Sequence, residues 1–149
     1  MITSCCDTSI TEYEPKNQDE KEIISVLFQY QDAKNHFDLK RLLSFLDDKG
    51  EFSFACGLMI SKTKLKEELP DFWVDIRSKN KIAIPYAHEC LNGDYFESGE
   101  LNNPIIKINN ETAEVSVLVT KGFSRVTLTF SLLRKNKQWL ITRTEWGRS

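Results

Sequence analysis

Few side chains of this 149-residue sequence are suited to acid–base or nucleophilic chemistry near neutral pH, and they are thinly spread. The two histidines are His36 and His88, and histidine is the side chain whose ordinary pKa suits proton transfer at pH 7. His88 falls on a predicted strand, with Asp32 or Asp38 as carboxylates that could orient its imidazole. His36 sits at a predicted helix end and reads as a surface residue. A histidine without an identified partner is more often structural than catalytic. There is no Ser-His-Asp order, no glycine-rich phosphate loop and no His-Glu-x-x-His motif. The cysteines, at 5, 6, 56 and 90, have neither Cys-x-x-Cys nor Cys-x-x-His spacing, so no metal site and no cofactor are expected. Cys56 and Cys90 lie in predicted strands, where a free thiol acts as a small apolar side chain; a disulfide would require those strands to be neighbours. Asn110-Glu111-Thr112 fits a glycosylation sequon that would carry no meaning in a bacterium.

Around these residues the composition is that of an ordinary folded domain. Hydrophobic residues make up 40% and charged residues 28%, which favours neither disorder nor a membrane span. No apolar run approaches the roughly 18 residues of a transmembrane helix. The net charge is −2, and lysines such as Lys62, Lys64 and Lys66 are answered at once by Glu67, Glu68 and Asp71. A nucleic-acid partner, which needs a basic face to displace counterions from phosphate, is not expected.

The first residues, Ile2-Thr3-Ser4-Cys5, resemble the end of a bacterial lipoprotein signal, and the polar stretch from Asp7 to Gln18 resembles the tether that follows one. The charged and apolar regions that would precede such a cysteine are absent. A signal trimmed away, a start placed late and chance all fit. Lipidation at Cys5 would place the protein at the bacterial cell envelope, with the membrane reached through that anchor alone; otherwise it would be cytoplasmic.

The elements that must position any site follow from periodicity. Residues 1–17 are expected to form a flexible leader, with the domain over 18–149. Ile23, Val26, Leu27, Tyr30, Ala33 and Phe37 recur at three- and four-residue spacing and predict a first helix. Asp38 caps a short second helix carrying Leu39, Leu42, Leu43 and Leu46, ended by Asp47-Asp48-Lys49-Gly50. Glu51 to Ile60 predicts a strand. Ser61 or Thr63 opens a third helix, in which Pro70 predicts a kink or break. Strands are expected at 82–88, from 105, and at 114–120, 125–133 and 139–144, with turns at Lys121-Gly122 and Lys135-Asn136-Lys137. Helices first and strands afterwards give an α+β domain.

This order resembles the nuclear transport factor two-like superfamily, which includes SnoaL-like proteins, ketosteroid isomerase and scytalone dehydratase. Tyr30-Gln-Asp-Ala-Lys-Asn-His-Phe-Asp38-Leu39 resembles the family's junction between first and second helices. Lys137-Gln-Trp139-Leu-Ile141-Thr-Arg-Thr-Glu-Trp146 resembles its last strand. The likeness spans about residues 19–147; the polar stretch Leu91 to Asn103 departs from it as an insertion. It implies a cone-shaped, cystatin-like fold, with three N-terminal helices packed on a curved antiparallel sheet. It also implies a pocket near Tyr30, Phe54, Trp73, Tyr86, His88 and Trp146, although inward aromatics are more often core than lining.

Ketosteroid isomerase chemistry needs a carboxylate base and a second, protonated acid beside a tyrosine. Here the resemblance places Phe54 at the base position and Thr129 at the second acid position, leaving only Tyr30, so isomerase activity is not expected. Two readings follow. In the first, the chain is a non-catalytic domain that binds a small apolar ligand or a protein partner, and is a homodimer as is common in this family. In the second, it is a small SnoaL- or dehydratase-like enzyme acting on an apolar ring substrate, with His88 as base and Tyr30 as hydrogen-bond donor.

Overall fold

In the computed structural model, residues 7–54, 58–78, 99–121 and 124–147 are described. The predicted strand at 82–88, Gly122, Tyr86, His88 and all four cysteines lie outside them. After a short 3-10 turn at Ile10–Glu12, the chain forms helix α1 (Gln18–Asn35), α2 (Leu39–Ser44), strands β1 (Leu46–Phe54) and β2 (Leu58–Ser61), and helix α3 (Lys62–Ser78). The long strands β3 (Glu100–Asn109), β4 (Thr112–Lys121), β5 (Ser124–Lys135) and β6 (Gln138–Gly147) follow. Within the described residues these six strands make one sheet, in the order β2-β1-β6-β5-β4-β3. Among the described residues, no helix is long and apolar enough to cross a membrane.

Capping fixes the helix ends. The Asn17 side chain accepts the Glu20 amide at 2.9 Å, while Glu20 Oε1 reaches back to the Lys16 amide at 3.0 Å and the Tyr13 hydroxyl at 2.7 Å. This reciprocal pattern satisfies donors that the first helical turn leaves open. At the other end, Asp38 N donates to Ala33 O and Phe37 N to Lys34 O, a closure that requires Phe37 at φ +57°. A left-handed phenylalanine costs about 1–2 kcal/mol; its ring packs edge-on against Trp73 at 5.5 Å. Asp38 caps α2 through the Arg41 amide, as expected, and Ser61 Oγ accepts the Lys64 amide at the start of α3.

Several expectations are corrected. The leader expected over 1–17 is, from Asp7 onward, packed on the domain: Ile10 is only 3% exposed, Ser9 bridges Asn102, and Arg125 holds Asp7 with two hydrogen bonds. Asp47 to Gly50 do not end α2 but belong to β1, because Leu46 starts pairing with Ile141. The single strand expected at 51–60 is a hairpin of β1 with β2. Of the kink or break expected at Pro70, the break does not occur, since helix α3 continues through it. The sheet is mixed, since β1 lies parallel to β6 while the other neighbours are antiparallel. The Asn136-Lys137 turn is as expected, with both residues at positive φ.

The core sits between the helices and one face of the sheet. Register lines up Phe52, Thr144, Phe130, Val115 and Ile106 across five strands, and Leu46, Ile141, Leu132, Ala113 and Ile108 in the row beside it. Phe52, Phe130, Phe72 and Trp139 are fully buried, each such phenylalanine contributing roughly 1.5–3 kcal/mol. Irregularities between Ser131 and Leu132 and between Asn102 and Ile105 interrupt the ladder, the device by which sheets bend.

Candidate functional site

Four of the six residues expected to line a pocket are described, and all four lie on the helix-covered side of the sheet. Tyr30, 2% exposed, projects from α1 and meets Phe130 edge-on at 5.6 Å. Trp146 stands on β6 opposite Leu128 and is partly buried against the core. One pleat beyond the Phe52–Thr144 pair, β1 and β6 carry Phe54 and Trp146 on the same side. Phe54 packs on Phe72 at 4.9 Å, and Trp73 on Phe37. Phe54, Phe72 and Trp73 are nearly inaccessible, so these three serve the core.

A residue that the sequence reading passed over joins Tyr30 to Trp146. The Lys34 ammonium lies 5.0 Å from the Tyr30 ring centroid and 5.7 Å from that of Trp146, and the residue is 5% exposed. A cation over two aromatic faces is attracted by the negative face of each ring, and more strongly away from water. The signal was present in the spacing, because Lys34 stands four residues after Tyr30 and seven after Leu27, on the apolar stripe of α1. Charged side chains are rarely so buried unless their surroundings hold them.

Asp32 and Asp38, named as carboxylates for His88, which lies outside the described residues, each make a structural contact. Asp32 accepts from Arg41 at 2.8 Å and stands 3.4 Å from the exposed His36 ring; Asp38 caps α2. Thr129 does not face the helices: Leu128 and Phe130 do, and Thr129 pairs with Ser116 and Glu145 on the outer face. Phe54, which the resemblance put at the base position, does face inward. The buried Thr144 accepts the Ser53 amide at 3.0 Å. Trp73 Nε1, Trp139 Nε1 and Ser53 Oγ are buried without a hydrogen-bond partner.

The perturbed titrations belong to structural contacts. Lys135, 2.6 Å from Asp47, holds that carboxyl below its ordinary range, and Arg134 does the same for Glu111. Burial and Glu20 push the Tyr13 phenol up to about 12. Among the described residues, no group of three or more histidine, cysteine or acidic side chains could hold a metal ion.

No protein-family model and no functionally curated protein matches the sequence. Solved structures do match. A protein of unknown function with a cystatin-like fold from Nostoc punctiforme is 14% identical, with a TM-score of 0.61 over 90% of this chain and 93% of its own. A nuclear transport factor two-like protein of unknown function from Pseudomonas putida is also 14% identical, with a TM-score of 0.61 over 91% and 90%. A nuclear transport factor two-like protein from Cytophaga hutchinsonii is 16% identical, with a TM-score of 0.58 over 89% and 99%. The helix order, the mixed sheet and these likenesses together give the chain the cystatin-like α+β fold of the nuclear transport factor two-like superfamily.

Proposed function

We propose that the chain is a non-catalytic binding domain that takes a small, ring-bearing, largely apolar ligand beside Tyr30, Lys34 and Trp146. The observation that carries this reading is the Lys34 ammonium, buried between the two rings. Two aromatic faces with a cation held against both put stacking surface and positive charge in one place, which suits a ring-bearing ligand that carries an acceptor. The inward phenylalanine at 54 and the outward Thr129 support binding over isomerase chemistry. The same reading has two copies pairing through the outer face of β4, β5 and β6, where Leu118, Leu133 and Leu140 are only partly buried. A lipid on Cys5 would hold the domain by the edge at which Arg125 grips Asp7.

Native mass spectrometry of gently purified protein tests the ligand. The reading expects a mass excess of roughly the size of a drug-like molecule in the wild type, absent from a folded Lys34→Met variant. A clean wild-type mass, with Trp146 fluorescence unmoved by a panel of aromatic acids, would overturn it. Turnover of such a compound that is lost in His88→Ala would instead establish the enzyme reading.

A further inference from the structure

We propose that the groove between α2, β1 and the first turns of α3, on a different part of the surface, binds a short acidic peptide segment with apolar side chains at its centre. The groove encloses about 570 Å³, with Leu39 and Leu43 of α2 as apolar walls and Lys40, Lys62 and Lys66 around them. Asp48 is the one carboxylate among the groove's lining residues; it pairs with Lys62 at 2.8 Å, and Lys62 also donates to Leu46 O at 3.0 Å. Lys40 and Lys66 stand exposed on opposing elements and leave two positive charges facing across the leucines.

The placement of these lysines runs against local helix preference. The first turn of a helix carries partial positive charge and favours acids, yet α3 has no acid there and carries Lys62 and Lys64, with Lys66 just beyond. Lys64 is answered by Glu68 at 3.1 Å on the helix surface and Lys62 by Asp48, which leaves Lys66 of this helix to the groove. A sequence feature that opposes the fold's own electrostatics points to a partner that repays it. Carboxylates seated here meet the lysines and the helix terminus together. Because the charge comes from both walls, a ligand with carboxylates on both sides of an apolar centre fits it better than an amphiphile with one headgroup.

The test is fluorescence polarisation with a labelled Glu-Leu-Glu-Glu-Leu-Glu peptide and the whole chain. The proposal expects saturable binding that weakens roughly tenfold in Lys40→Glu/Lys66→Glu, weakens with salt, and is unchanged in Lys34→Met. Both exposed lysines tolerate the change without loss of core, and Lys40→Gln/Lys66→Gln gives a second variant with a smaller loss in the same direction. No saturable binding at about 1 mM, equal affinity for a Lys-Leu counterpart, or insensitivity to the charge reversal would overturn the proposal. Displacement of the peptide by equimolar dodecanoate would also overturn it, by assigning the groove to a single-headed amphiphile.

Discussion

Replacing Ile10 with alanine should destabilise the protein by about 2–3 kcal/mol, although the residue lies in a stretch whose polarity reads as a tether. Ile10 is 3% exposed and belongs to the same buried cluster as Leu27, Val115 and Leu101. Removing its three outer carbons forfeits about 0.8 kcal/mol each in transfer free energy. A residual cavity adds to this, and the position near the chain's start lets neighbours relax, so the low half of the usual 2–5 kcal/mol range applies. With a urea slope of about 2 kcal/mol per molar, the unfolding midpoint should fall by about 1–1.5 M. Equilibrium urea unfolding followed by far-ultraviolet circular dichroism reads this directly. The exposed Thr11→Ala is the control and should stay within about 0.5 kcal/mol of the wild type. A midpoint shift below about 0.3 M for Ile10→Ala would refute the docking of residues 7–17 and restore them as a loose leader.

Thr144→Val should cost about 1–3 kcal/mol in the same assay, since it strips the acceptor from the buried Ser53 amide while keeping the shape; no change would show that amide satisfied otherwise. Asp47 has a folded pKa below its ordinary 3.8, chiefly through the Lys135 hydrogen bond. Its contribution is therefore present above that value and is lost as pH falls through the lower folded one. Asp47→Asn should flatten the acid limb of the stability curve, and an acid limb identical to the wild type's would contradict this. Tyr13 has its pKa raised from 10.0 to about 12, by burial first and then by Glu20. The fold thus favours the neutral phenol, whose contribution is whole below pH 10 and disappears as pH rises through about 12. Tyr13→Phe should remove that part of the alkaline loss, checked by thermal unfolding across this range.

The elements most legible in the sequence were those whose signals are local. The Asp38 cap, the Asn136-Lys137 turn and the alternating valines of β4 require only neighbours along the chain, and each stands where its pattern placed it. What sequence periodicity missed depends on contacts distant in sequence. Ile10 is one apolar residue in a polar stretch, and the long-range contacts that fix the backbone around it come from Asn102 and Asn103 of β3 and from Arg125 through Asp7. Asp47 and Asp48 read as a helix stop, yet Lys135 and Lys62 hold them within a strand. The parallel β1–β6 pair joins residues about ninety positions apart. At the site, the family resemblance put Tyr30 and Trp146 in one region, while the spacing along the first helix passed over Lys34, because a lysine on an apolar stripe resembles a surface residue whose stem snorkels. Thr129 was placed by counting along the strand, and the irregularity between Ser131 and Leu132 shows how a single extra residue defeats such a count.

The central claim, a ligand held beside a buried lysine between two rings, is tested most directly by titrating naphthalene sulfonate and its uncharged parent naphthalene against wild type and Lys34→Met while following Trp146 emission. Trp73→Phe/Trp139→Phe serves as the background that isolates this tryptophan. The account predicts that wild type binds the sulfonate at least tenfold more tightly than the parent, and that Lys34→Met abolishes this preference while keeping its fold. Equal binding of both compounds by wild type and variant, or no change in Trp146 emission with either, would contradict it.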